Sequence, residues 1–266
     1  MVLFDVHPVP PQGTNEVSSG NSAIVVIPAR YRSSRLPGKP LADIAGRPMV
    51  EHVYRRAEAA TSVNAVLVAT DDTRIRDAVI AFGGEALMTA SEHQSGTERL
   101  AEATRDLRFD LVVNLQADEP LVEPTAIDLT LGVLIKNPKV SMATVRYPIT
   151  DPEELVDPNV VKVVVDSQGF ALYFSRNAIP HQRDAAKSHE PVNYRHVGLY
   201  AYRREFLTHL AALEPTPLEK AEQLEQLRAL EHGYRIQTVE ITQKPVGVDT
   251  PHDLDRVRRI ISNGVY

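Results

Sequence analysis

Apolar positions along the chain show two textures. Short β-branched runs, Ala23–Ile27, Ala65–Ala69 and Leu111–Leu115, alternate through the first half with segments whose apolar residues recur every three or four positions. That is the pattern of a parallel sheet covered by helices. Pro48 opens one helix, with Met49, Val50, Val53, Tyr54 and Ala57 on its inner face, since proline suits a first turn. Asp71 or Asp72 caps the next, which presents Ile75, Ala78, Val79 and Phe82 and ends at Gly83-Gly84. A third helix begins near Thr97, and Pro124 starts a fourth lined by Ile127, Leu131, Leu134 and Ile135. From about Val140 the strand-like runs Ser141–Tyr147, Val160–Val165, Phe170–Phe174 and Val197–Tyr202 follow one another with few helices between, and Ser167-Gln168-Gly169 reads as a hairpin turn. Thr216-Pro217-Leu218-Glu219 is a capping box, predicting one helix through Leu224, Leu227 and Leu230. Arg235–Ile241 and Thr250–Ile261 add a last strand and helix.

These elements predict an α/β fold. A doubly wound, mostly parallel sheet occupies 21–139, a smaller antiparallel insert 140–205, and 206–266 completes the core. Residues 1–20, with three prolines, two glycines and no Lys or Arg, are expected to be a flexible tail rather than a signal peptide.

Composition narrows the class. A chain of 266 residues with 43% hydrophobic and 24% charged positions has enough apolar surface for a sizeable core. No run approaches the roughly 18 apolar residues of a membrane span. The net charge of −6 opposes binding to nucleic acid or anionic membranes, so neither is expected as a partner and any basic site must be local. The absence of cysteine removes disulfides, Cys-zinc sites and thiol nucleophiles, and suits a reducing, cytoplasmic setting.

One local basic site stands out. The stretch Ile27–Leu41 carries Arg30, Arg32, Arg35 and Lys39 with no acid among them. At the carboxyl end of a parallel strand such a loop either holds phosphates or is a solvated basic loop. Neither a Gly-x-Gly-x-x-Gly nor a Walker spacing is present, which argues against a dinucleotide oxidoreductase or P-loop enzyme. Asp118 and Asp249 sit at ends of buried elements, where carboxylates either hold Mg²⁺ or tie down turn amides. Glu119, just before Pro120, is expected to point outward. Ser95-Gly-Thr-Glu-Arg99 starts a helix whose amides suit an anion or a polar base edge. His93, His196 and His252 lack metal-ligand spacing, and no serine or zinc hydrolase signature occurs.

Taken in order, Ile27–Leu41, Gly46-Arg-Pro-Met49, Val68-Ala-Thr-Asp71, His93-Gln-Ser-Gly-Thr-Glu-Arg99, Gln116-Ala-Asp-Glu-Pro120, Leu172-Tyr-Phe-Ser-Arg176, His196-Val-Gly-Leu-Tyr200, Leu224-Glu-Gln-Leu-Arg228 and Gly247-Val-Asp-Thr-Pro251 resemble the 3-deoxy-D-manno-octulosonate cytidylyltransferase (CMP-Kdo synthetase) family. The resemblance runs from about Ala23 to Arg259. It implies a nucleotide-diphospho-sugar transferase-like fold and the conversion of CTP and Kdo to CMP-Kdo and pyrophosphate for lipopolysaccharide biosynthesis. It further implies that Pro28, Ala29, Arg30, Arg35, Lys39, Gln94, Ser95, Gly96 and Thr97 bind CTP, with Arg35 and Lys39 also catalytic. Asp118 and Asp249 would hold catalytic Mg²⁺. Arg99, Gln116, His196, Tyr200, Glu225 and Gln226 would line the sugar-acid pocket, and a homodimer would form through the insert. The same parts would also fit another sugar nucleotidyltransferase, such as a CMP-sialate synthetase, with a different pocket. A non-catalytic nucleotide-binding regulator would need the aspartates not to converge. Ala117 departs from the family, which often has glycine between Gln116 and Asp118.

Overall fold

The first strand, β1 (Ala23–Ala29), is buried on both faces and so becomes the centre of the sheet. The structure, a computed structural model, describes residues 21–32, 36–93, 95–183 and 193–264. The 1–20 tail, Arg35 and Gln94 lie outside those residues. After β1 come a small ribbon, β2 (Asp43–Ile44) and β3 (Arg47–Pro48), then α1 (Met49–Glu58), β4 (Ala65–Thr70), α2 (Thr73–Ala81) and β5 (Ala86–Met88). The first half ends with α3 (Gly96–Thr104), β6 (Leu111–Asn114) and α4 (Pro124–Lys136). The second half supplies β7 (Met142–Pro148), α5 (Pro152–Val156), β8 (Lys162–Val165), β9 (Ala171–Ser175), β10 (Tyr194–Arg203) and α6 (Arg204–Ala212). It closes with α7 (Pro217–Glu222), α8 (Gln226–Glu231), β11 (Ile236–Glu240) and α9 (Pro251–Ser262).

The strand order is β11-β7-β10-β6-β1-β4-β5, and six of these seven strands run the same way, β10 being reversed. Alternation along β1 sends Val25 and Ile27 to a core shared with α1, α2 and α4, and Ile24 and Val26 to a core shared with α3, α6 and α8. Helices therefore cover both faces, as doubly winding requires. The connections diverge at β1, towards β4 on one side and β6 on the other, which opens a crevice beyond the strands' carboxyl ends.

The antiparallel insert is present, and it continues the main sheet. β7 and β10 extend that sheet, and the β8–β9 hairpin pairs onto β10. Asp166 accepts the amides of Gln168 and Phe170 (both 2.9 Å) at the hairpin turn, where Gly169 takes φ 80°. The single helix expected from Thr216 to Leu230 is a correction: the capping box forms, but Gln223 adopts φ 54°, ψ 51° and divides the segment into α7 and α8. Arg176 takes the Glu222 and Gln223 carbonyls (2.8 and 3.4 Å), acceptors that a continuing helix would have used. At the far end of the chain, α9 packs Leu254 and Val257 against Ile44, Met49 and Leu121. Its Thr250–Asp253 capping box fixes the loop that carries Asp249.

Candidate active site

Lys39 stands where three chain segments meet. Gly38, at φ 70°, precedes it, and a β-carbon there would lie 3.1 Å from the Tyr31 ring, so the loop turns on a glycine. The Lys39 Nζ donates to Asp118 Oδ2 (2.5 Å), the Val248 carbonyl (3.1 Å) and Asp249 Oδ1 (3.3 Å). Burial pulls this ammonium's pKa down, but the two carboxylates outweigh it and hold the value above its ordinary one. Glu119 is turned inward, which corrects the expectation that it points outward. Its carboxyl lies 3.2 Å from the position a β-carbon on Gly247 would take. Loss of water, reinforced by Asp118 and Asp249, pushes its pKa up to about 8. Acidic groups are thus concentrated against one ammonium. Among the described residues no group of three or more His, Cys, Asp or Glu is arranged to hold a metal ion.

The loop before α3 is braced from β1. Arg30 donates to the carbonyls of His93 (2.6 Å) and Ser95 (3.3 Å), on either side of position 94. Ser95 is the N-cap of α3, accepting from the Glu98 amide at 3.2 Å, so Gly96 and Thr97 form a first turn with its dipole directed into the crevice. Pro28 is half-buried and Ala29 buried at the carboxyl end of β1.

Alongside lies a cavity of about 410 Å³, walled by Gly96, Thr97, Gln116, Tyr200, Glu225 and Gln226 among others. Glu225 accepts from the Thr97 hydroxyl (2.7 Å), joining α8 to α3. Gln116 donates to Asn114 (3.0 Å). Gln226 borders the same space, and its buried Nε2 has no hydrogen-bond partner. Arg176, Asn114, Tyr202 and Arg228 line the same space without having been singled out in the sequence. Arg176 and Arg228 each had a signal, as the last residue of a family-like motif, whereas Asn114 and Tyr202 had none.

Two expected pocket residues lie elsewhere. Arg99 is wholly buried, donating to the Thr89 hydroxyl with Nη2 3.6 Å from Asp71. It sits two positions beyond Thr97, and residues two apart on a helix do not share a face. His196 stands behind Tyr200, its ring between Phe174 and Tyr200 at 5.0 and 5.3 Å. The Thr144 hydroxyl donates to the Leu199 carbonyl (2.8 Å) and meets His196 Nε2 at 3.0 Å, which assigns the ring proton to Nε2. Burial, with Arg195 nearby, lowers the His196 pKa to about 3. Ala117 places its methyl in the main core, so the departure from glycine is absorbed by packing.

A cytidylyltransferase family model matches residues 24–237. The chain belongs to that family. The 3-deoxy-manno-octulosonate cytidylyltransferase of Syntrophotalea carbinolica is 51% identical over 242 residues, covering 89% of this chain and 97% of that protein. The protein of the same description from Geotalea uraniireducens is 52% identical over 240 residues, covering 87% and 96%. A solved structure of CMP:2-keto-3-deoxy-manno-octonic acid synthetase complexed with CTP superimposes with a TM-score of 0.87 at 46% identity, covering 91% of this cytidylyltransferase and 99% of that chain. The 4-diphosphocytidyl-2C-methyl-D-erythritol synthase of Anaerococcus prevotii shares the fold alone, at a TM-score of 0.60 and 12% identity over 91% and 97% of the two chains.

Proposed function

We propose that this enzyme transfers CMP from CTP to the anomeric 2-hydroxyl of 3-deoxy-D-manno-octulosonate, releasing pyrophosphate. One observation carries the reading. The segment Gln116–Asp118 lines the polar cavity at one end and at the other meets Lys39, which also reaches Asp249, so a sugar site and a charge-handling corner share one stretch of chain. The sugar hydroxyl attacks the α-phosphorus, the bond to the β-phosphate oxygen breaks, and pyrophosphate leaves on the opposite side. Lys39 and Arg30 stabilise charge on the phosphates and α3's first turn, with Ser95 to Thr97, takes the base, Arg35 and Gln94 being assigned to CTP by the family resemblance alone. The substrate supplies the nucleophile, and Glu225, Gln226, Gln116 and Tyr200 orient it.

Asp118 and Asp249 would hold Mg²⁺. Two hard oxygens in an acid-rich corner suit an ion that completes its shell with substrate phosphate and water. When bound, Mg²⁺ neutralises phosphate charge and acidifies the attacking hydroxyl. The reading extends to a homodimer built through 140–205 and to cytoplasmic work supplying lipopolysaccharide synthesis.

The test is pyrophosphate release from CTP and Mg²⁺ across a sugar panel. Kdo is expected to exceed sialic acid and a neutral hexose phosphate in kcat/KM by at least about tenfold, since one lost polar contact costs about 1–3 kcal/mol. Faster turnover of sialic acid overturns the assignment.

A further inference from the structure

Glu222 lies outside the set of residues that meet the cavity, yet it is the hub of a network behind it. Its Oε1 accepts from the Ser175 hydroxyl (2.6 Å) and the Tyr173 hydroxyl (3.4 Å), and its Oε2 accepts from the Arg176 amide (2.9 Å). Arg176 answers with its guanidinium, donating to the carbonyls of Glu222 (2.8 Å), Gln223 (3.4 Å) and Pro158 (3.0 Å). The Arg176 peptide is held from its other side by Lys162. That lysine is wholly buried and donates to the carbonyls of Asp157 (2.9 Å), Val160 (2.7 Å) and Arg176.

The network acts on one backbone feature. Gln223 occupies the left-handed region, which costs a residue with a β-carbon and persists only where the surroundings impose it. The cross-links between β9 and the end of α7 impose it here. A direct continuation of α7 would carry Glu225 and Gln226 along a different path. The turn instead brings Glu225 to the Thr97 hydroxyl and Gln226 to the cavity wall.

We propose that Glu222 is a positioning residue for the sugar-acid pocket, locking the left-handed turn at Gln223 that presents Glu225 and Gln226. The inference rests on the reading of this cavity as the site of the sugar acid. It separates Glu222 from a merely structural residue, because the larger loss falls on the sugar: the CTP phosphate-binding loop is not touched by the network, and CTP meets it only through the single Thr97–Glu225 bond.

The test is steady-state kinetics of Glu222→Ala, Ser175→Ala and Gln226→Ala with CTP and Mg²⁺, each variant's fold checked by circular dichroism. Glu222→Ala is expected to raise the KM for Kdo about tenfold while leaving the KM for CTP within about twofold, and Ser175→Ala to raise the KM for Kdo about threefold. An unchanged KM for Kdo in folded Glu222→Ala, or an equal rise for both substrates, overturns the inference. Should Glu222→Ala not fold, Ser175→Ala decides alone, and an unchanged KM for Kdo in it overturns the inference. Gln226→Ala separates the two levels. If it raises the KM for Kdo and the other variants do not, the positioning role falls and the pocket stands; if all three leave it unchanged, the pocket reading falls too.

Discussion

At the scale of single residues, Asp118 and Asp249 converge on one ammonium although about half of the chain lies between them in sequence. If they share Mg²⁺, Asp118→Asn and Asp249→Asn should each abolish most turnover at unchanged melting temperature. The double variant should be little worse than either, because losing one ligand already disables the shared ion. Near-normal rates from both folded variants at limiting Mg²⁺ would remove the metal assignment. His196 gives a second expectation. Its folded pKa of about 3 lies below its ordinary 6.5, so the unfolded chain takes up a proton first as pH falls. The stability from keeping this ring neutral is fully present above pH 6.5 and drains as pH drops towards 3. Between pH 7 and 5 the loss from this ring is about 2 kcal/mol. His196→Gln should flatten that component, as read from urea midpoints at the two pH values, and identical pH slopes for both proteins would contradict it.

Among the elements, α7 and α8 show how a local signal and a tertiary one compete. Arg228 reaches back from α8 to Glu219 in a bidentate pair (2.8 and 2.6 Å), both residues being buried. Glu219 also closes the capping box by accepting from the Thr216 amide. Glu219→Ala leaves a buried guanidinium without its carboxylate, a loss of about 3–5 kcal/mol in chemical denaturation. A loss near zero would mean that water reaches Arg228. The capping box was legible in the sequence because its pattern is local, and so were the parallel strands, whose continuous apolar runs mark burial on both faces. The break at Gln223 was not, since the residues that impose it, Arg176 and Lys162, come from remote strands. The site divides along the same line. Lys39, Asp118 and Asp249 stood out as charges at the ends of buried elements, whereas the displacement of Arg99 follows from which face of α3 looks at the cavity. Helical phase relative to Thr97 carried that information. Arg228 stood in the sequence only as the end of a family-like motif, without a role, because its contribution depends on the α7–α8 fold-back.

For the molecule as a whole, the two most exposed large apolar side chains among the described residues, Val156 (72%) and Leu172 (61%), both lie within 140–205. Leu172 is on β9, the outer strand of a hairpin hung on the reversed strand β10. A strand end of this kind with an outward leucine is the type of surface that proteins bury against a second copy or guard with charge. No charged residue stands on β9 itself. A homodimer covering this face should sediment at twice the chain mass at micromolar concentration. Leu172→Glu should shift it towards monomer, because each copy of a two-fold contact would carry the new charge into an apolar interface. Leu172 shares β9 with Ser175, and Arg176 follows directly, both held by Glu222, so a dimer here would also stiffen the segment that carries them. The monomeric variant is therefore expected to show a raised KM for Kdo with CTP little affected. A wild-type chain that sediments as a monomer throughout the micromolar range would refute the dimer.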